Sequence, residues 1–202
     1  MGHSGHFDRE MRHTDWQRFW HLQLEREAQI NAWLDTLDLK PGDRFLDVGS
    51  GPGLASLLAA ERVGPRGKIV ALDINHEALA WLRHQARRRG LDGIETMVAD
   101  AGAMPLPGAS FTHALAALVL HHLADPPGVI AEIRRVLAPG GRLLVADYRP
   151  DGDPGVGPPV DARIGADQAA AWMGAAGLRI LGHDLTPPHW FYVLGQVGDG
   201  SG

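Results

Sequence analysis

Cysteine is absent from the 202 residues, which removes disulfide scaffolds, thiolate zinc sites and cysteine nucleophiles. No apolar run approaches the roughly 20 residues that a membrane-spanning helix needs. The opening MGHSGHFDRE also lacks the apolar segment of a secretory signal. These absences lead to the expectation of a cytoplasmic protein with no membrane partner. Excess basic charge is missing too. The formal net charge is −5 with histidine neutral, so the chain has no general attraction for phosphate backbones and no nucleic-acid partner is expected. The run Arg87-Arg88-Arg89 is short and ends a predicted helix, where positive charge suits the helix dipole. What remains is an ordinary globular composition, 45% hydrophobic and 21% charged, with a length that suits one domain. The oligomeric state is left open.

Residues 1–13 are polar and read as a flexible tail, and residues 198–202 as a second tail. Three histidines, His3, His6 and His13, lie in the first tail; without fixed geometry they make no metal site, and none is expected. Between the tails, residues 14–197 read as a single domain. It opens with a helical pattern over 14–38, in which Trp16, Phe19, Trp20, Leu24, Ile30, Trp33, Leu34 and Leu37 recur at spacings of three and four. Lys40-Pro41-Gly42-Asp43 breaks it. Strands follow at 44–48, 68–72, 94–99, 111–117 and 142–146, separated by helices at 54–62, 76–89 and 126–137 and by a Pro-rich loop at 104–110. Strands alternating with helices of this length imply right-handed crossovers and a parallel sheet. After Tyr148 the segment Pro150–Pro159 holds three glycines and four prolines and reads as a loop. A helix at 167–175 and strands at 178–185 and 190–197 complete the chain, the last two close enough for an antiparallel pair. The expected fold is α/β: a doubly wound, Rossmann-like, mostly parallel seven-stranded sheet, with helices on both faces and an antiparallel C-terminal strand pair.

The first strand runs into Asp47-Val48-Gly49-Ser50-Gly51-Pro52-Gly53, and then a helix opens. Glycines at such a turn let a ligand approach the backbone, and the N–H groups of the helix start favour an electronegative group. A dinucleotide fingerprint needs its third glycine at position 54, which is Leu54; the glycines stand instead at 49, 51 and 53. Asp47 before the turn suits the ammonium of an amino-acid-like ligand and offers a pyrophosphate nothing. The pattern therefore favours the methionine moiety of S-adenosylmethionine (SAM) over NAD. Asp73 ends the second strand, where an acid can accept hydrogen bonds from both ribose hydroxyls. Asp100 follows the third and can accept from an exocyclic adenine amine. Ligands of open α/β sheets bind along this edge.

These residues carry a resemblance. FLDVGSGPG, ALDIN, VADAGAMPLP, FTHALAALVLHHLADP and VLAPGGRLLVADY resemble, in order and spacing, the successive motifs of class I SAM-dependent methyltransferases. The most similar branch is methyltransferase type 11, which includes methylases of quinones and other small molecules. The likeness spans residues 40–148, and more faintly the C-terminal HWFYVLGQV. It implies that SAM is the cofactor and S-adenosylhomocysteine (SAH) the product. It implies further that Asp47, Gly49, Ser50, Gly51 and Gly53 hold the methionine part, Asp73 the ribose, Ile74 the adenine face, and Asp100 with Ala101 the adenine edge. Ala116 and Ala117 would line the sulfonium side. The chain departs from the family at Thr112, where Asp is frequent, and at Ala116 and Ala117, where Ser or Asn would add polar contacts.

His121 and His122 follow the fourth strand, and Asp147 ends the fifth. An imidazole titrates near neutrality, so His121 and Asp147 are the candidates for catalysis. His122, His189 at the head of the last strand and Trp20 on the N-terminal helix are candidates for the acceptor pocket, with the segment 14–38 as a lid. The expected activity is direct in-line transfer of a methyl group to a small-molecule acceptor, driven by alignment and exclusion of water. Two alternatives share the features: a non-catalytic SAM- or SAH-binding regulator on the same fold, and an NAD-dependent oxidoreductase.

Overall fold

The computed structural model describes residues 15–185 and 188–200. The tail expected at 1–13 and the ends of the second tail, Ser201 and Gly202, lie outside the described residues, as do Thr186 and Pro187. In chain order the elements are α1 (Trp16–Glu25), α2 (Glu27–Leu37), β1 (Arg44–Val48), α3 (Leu54–Val63), β2 (Lys68–Asp73), α4 (His76–Arg89), β3 (Ile94–Val98) and β4 (Phe111–Ala117). Then come α5 (Pro126–Val136), β5 (Leu137–Tyr148), α6 (Ala166–Ala175), β6 (Leu178–Asp184) and β7 (Trp190–Val197). Short 3₁₀ turns occupy Gly64–Arg66, Leu120–His122 and Val160–Ala162. No helix among the described residues is long and apolar enough to cross a membrane.

The sheet has seven strands in the order β3-β2-β1-β4-β5-β7-β6. The pairs β1–β2, β2–β3, β1–β4 and β4–β5 are parallel, while β7 runs antiparallel to β5 and β6. The expected fold is thus the observed one. Strand order reverses between β1 and β4, which makes their carboxyl ends the switch point where ligands of such sheets bind.

Alternate residues of the central strands point to opposite faces, and each face has its own apolar layer. Leu46, Val48, Val70, Leu72, Ala114, Ala116, Leu143 and Val145 meet Val129, Ile130 and Ile133 of α5 and Ala169 and Met173 of α6. Phe45, Ile69, Ala71, Leu115, Leu144 and Ala146 meet Trp33, Leu34 and Leu37 of α2, Leu54 and Leu57 of α3, and Leu79 and Leu82 of α4.

Two local features depart from the periodic reading. The pattern over 14–38 forms two helices, broken at Arg26 (φ −104°, ψ 9°), whose N–H still bonds to the carbonyls of Gln23 and Leu24. Ten residues, nearly three turns, separate Trp20 from Ile30, so one straight helix would rotate their side chains about 80° apart. The break instead lets α1 lie on α3 and α4 while α2 packs on β5 and β7. The second departure is Pro139-Gly140-Gly141, which reads as a turn but lies inside β5. Gly140, at φ 73°, bulges out between the pairings Phe111↔Leu137 and His113↔Arg142, so the ladder resumes beyond it.

Candidate active site

The glycine turn is tied to the strand beside it. The N–H groups of Gly49 and Ser50 both donate to the Leu72 carbonyl, at 2.8 and 3.1 Å. Gly51 N–H donates to the Asp73 Oδ2 atom at 2.8 Å, and Asn75 N–H to Oδ1 at 2.8 Å. The Asp73 carboxylate therefore joins the turn to the end of β2. Burial pushes its pKa up, against the pull of those N–H donors. Two glycines have steric duties. A Cβ on Gly49 would lie 2.4 Å from Val119 Cγ2, and one on Gly53 2.4 Å from Leu82 Cδ1, while both positions have positive φ. Gly51 faces open space apart from the Gln23 amide, 3.6 Å from where a Cβ would sit.

Asp47 is only 3% exposed and accepts a 2.6 Å hydrogen bond from Ser56 Oγ. Burial raises its pKa to about 6, with the Ser56 bond opposing and the nearby Asp73 charge reinforcing. The Oγ atom of Ser50 is buried in the turn without a protein partner. Beyond Asp73, Ile74 and Val98 keep 52% and 56% of their surface exposed, an apolar ledge at the ends of β2 and β3. Asp100 is exposed and spends Oδ1 on its own Gly102 N–H at 2.8 Å, leaving Oδ2 free to accept. Ala101 and Ala116 are buried in the core under α5, and Ala117 is half-buried on the opposite face of β4.

These features fit SAM. The buried carboxylate of Asp47 suits its ammonium, the acid at the end of β2 suits its ribose hydroxyls, and the apolar ledge beside Asp100 suits its adenine.

On the other side of the switch point, the 3₁₀ turn after β4 brings His121 to Asp147. His121 Nδ1 lies 2.6 Å from Asp147 Oδ1, with the two side chains 5% and 0% exposed. Asp147 also accepts from the backbone N–H groups of His121 (3.2 Å) and Tyr148 (2.8 Å). Its carboxylate thus takes part in three hydrogen bonds, and the imidazole is held through Nδ1, with Nε2 as its other ring nitrogen. The His121 ring meets Tyr148 edge-on at 5.6 Å and His122 at 3.9 Å. Leu118, two residues before the turn, has φ 55°, an uncommon conformation for a side-chain-bearing residue and one that recurs at functional sites.

Of the candidates for the acceptor pocket, His122 sits beside His121 and is exposed. His189 stands against Trp190, which pairs with Tyr148, and its Nδ1 atom is buried without a partner among the described residues. Trp20 goes elsewhere: it joins the core against α3 and α4, with the Arg89 guanidinium 5.8 Å over its ring. Thr112 lies at the opposite edge of the sheet, where its hydroxyl accepts from Arg44 N–H at 3.0 Å and ties β4 to the start of β1.

Sequence reasoning passed over four side chains. Gln23 of α1 accepts from Leu54 N–H at 3.0 Å, capping α3, and donates to the Ser50 carbonyl at 3.4 Å. Ser56 announces itself only as the one hydroxyl in the apolar run LASLLAA. Arg163 is buried and donates to five carbonyls, those of Arg149, Gly152, Asp153, Val156 and Pro158 at 2.8 to 3.3 Å, which organises the Gly/Pro loop. Arg26 lies 5.8 Å over the Tyr148 ring. No spacing rule marks any of the last three.

The family described as "Methyltransferase domain" matches residues 46–145. An uncharacterised 37.1 kDa transposon protein of Streptomyces fradiae is 41% identical over 125 residues, 61% of this chain and 34% of that protein. The ubiquinone/menaquinone biosynthesis C-methyltransferase of Hahella chejuensis is 37% identical over 116 residues, 57% of this chain and 47% of the enzyme. The chain thus spans between a third and half of the length of these relatives. Among solved structures, a SAM-dependent methyltransferase from Aquifex aeolicus superposes with a TM-score of 0.82 at 24% identity, covering 91% of this chain and 99% of that one. The matched segment runs from the strand that carries Asp47 through the glycine turn and Asp73 into the strand that carries Asp147, and by this match the chain belongs to the class I SAM-dependent methyltransferase family.

Proposed function

We propose that the protein transfers a methyl group from SAM to a small-molecule acceptor. The observation that carries the reading is the single hydrogen-bonded unit formed by Asp47, the glycine turn and Asp73. Asp47 takes the ammonium of the methionine part, which supplies the positive charge its buried carboxylate lacks. Gly51, which has no side chain, leaves room for the carboxylate near the start of α3, where the helix dipole favours a negative group. Asp73 accepts the ribose hydroxyls, Ile74 and Val98 cover the adenine, and Asp100 accepts from its amine. When bound, SAM supplies an electrophilic sulfonium methyl.

The protein's own contribution is to align the acceptor and exclude water, effects that reach about 7–11 kcal/mol in well-oriented systems. His121 is the general base. Asp147 fixes its tautomer, with the proton on Nδ1, so that Nε2 can take a proton from the acceptor as the new bond to carbon forms. The relative from Hahella is named as a C-methyltransferase of quinone biosynthesis, which supports a small organic acceptor.

Isothermal titration with SAM, SAH and NAD tests the cofactor assignment. The expected result is micromolar binding of SAM and SAH, lost in Asp73→Ala, with no NAD binding. Binding of NAD alone, or of none of the three, overturns it. Turnover of SAM to SAH with any added acceptor separates an enzyme from a non-catalytic SAM-binding protein.

A further inference from the structure

Resting on that reading, we propose that the methyl acceptor is an organic anion whose negative charge is received by Arg26, at the elbow between α1 and α2.

Arg26 is half-buried, and among the described residues its guanidinium has neither a carboxylate nor a carbonyl partner; its contact is the Tyr148 ring at 5.8 Å. Several other arginines near loops and helix ends are paired. Arg62 pairs with Asp35, Arg135 with Glu132 and Arg149 with Asp151. Arg163 approaches the same Tyr148 ring at 5.9 Å, but its donors are spent on five carbonyls. Arg26 therefore brings a full charge and unused planar donors to this ring, a geometry suited to two parallel bonds with a carboxylate.

The same buried ring also meets the proposed base. His121 meets Tyr148 at 5.6 Å from its own side. One turn earlier on α1, Gln23 bonds the glycine turn and the start of α3. The last turn of α1 thus touches the cofactor loop through Gln23 and the acceptor side through Arg26. A molecule anchored on Arg26 would lie beside the turn of α1 that Gln23 ties to the glycine loop and beside the ring that His121 meets. Local charge favours an anion. Arg26 and Arg163 stand over the ring, and the carboxylate of the adjacent residue, Asp147, is buried and already holds His121 and two backbone N–H groups. His189, with its buried unpaired Nδ1, adds a second polar atom at this edge, since its neighbour Trp190 pairs with Tyr148.

The test uses the full chain saturated with SAH. Three acids, 4-hydroxybenzoate, 3,4-dihydroxybenzoate and hexanoate, are titrated against their methyl esters. The expected result is that at least one acid binds about 10-fold or more tighter than its ester, the factor that one charge-assisted hydrogen bond supplies. Arg26→Gln should remove that preference and Arg26→Lys retain part of it, with SAH affinity unchanged in both. Equal binding of acid and ester, no measurable binding of any acid, or a preference that survives in Arg26→Gln overturns the proposal. Loss of SAH affinity in Arg26→Gln alone reassigns the arginine to the cofactor and equally overturns it. Failure of wild-type protein to bind SAH instead overturns the cofactor reading, and the acceptor assignment with it.

Discussion

Asp47 lies 3% exposed with its pKa raised to about 6, so keeping it ionised without a cation is unfavourable. The rise from 3.8 to about 6 corresponds to about 3 kcal/mol at ~1.4 kcal/mol per unit. The folded state holds this proton more tightly than the unfolded state does. The penalty is therefore absent below the unfolded pKa, grows as pH rises through the two values, and is complete above about 6. Asp47→Asn should raise the melting temperature of the ligand-free protein at pH 7 and leave it unchanged near pH 3.5, while abolishing SAM binding. Thermal melts of both proteins across that range check the sign; a variant less stable at pH 7 refutes the account. For His121, a general base contributes typically about 10²–10⁴-fold. His121→Gln should lower turnover by that order with SAH affinity unchanged, which paired kinetic and titration measurements resolve.

The glycine turn works because its backbone and its neighbours share the space. Gly49→Ala forces a Cβ to within 2.4 Å of Val119 Cγ2 at φ 69°, a conformation that costs a side-chain-bearing residue roughly 1–2 kcal/mol. Adding Val119→Ala should recover the steric part of the loss and leave the backbone part, so the double variant melts between wild type and Gly49→Ala. The loop after β5 depends on a different device, one buried guanidinium bridging five carbonyls. Arg163→Met removes them all. It should destabilise the protein by at least the ~1.5–3 kcal/mol of one hydrogen bond to a charged group, and expose the loop to limited proteolysis. A cleavage pattern identical to wild type would show that the loop holds itself.

At the scale of the whole molecule, two apolar layers clamp the sheet, while the functional groups collect at its carboxyl edge, where the strand order reverses. α2 belongs to that architecture. Trp33, Leu34 and Leu37 are buried against the sheet, so removing residues 1–38 would open the core as well as uncover the site. Within this segment it is α1 that reaches the glycine turn, through Gln23. Cofactor binding should register globally. At 100 times the dissociation constant, a ligand of the native state adds about 2.7 kcal/mol, which for a chain of this size is a rise of about 5–10 °C in melting temperature. SAM and SAH should produce it, and NAD should not; differential scanning fluorimetry reads all three.

Local periodicity and turn chemistry determined a great deal. The strand bounds Arg44–Val48, Phe111–Ala117 and Trp190–Val197 and the helix His76–Arg89 follow from apolar spacing, and Gly90 ends that helix in the left-handed conformation that glycine favours. The spacing of Gly49, Gly51 and Gly53 after Asp47, with acids at the next strand ends, pointed to the cofactor, because a βαβ chain brings successive strand ends to one edge. Tertiary structure decided the rest. Whether Trp20 lines a pocket or fills the core depends on where α1 lies, and that follows from the break at Arg26, which no helix-ending residue signals. The pairing of His121 with Asp147 joins side chains 26 residues apart and exists only because β4 and β5 are neighbours. The five carbonyls gathered by buried Arg163, and the lack of a counter-group for Arg26 among the described residues, are likewise matters of partners. A sequence names its charged residues, but only the fold decides which of them find a counter-group and which are left to seek one in a ligand.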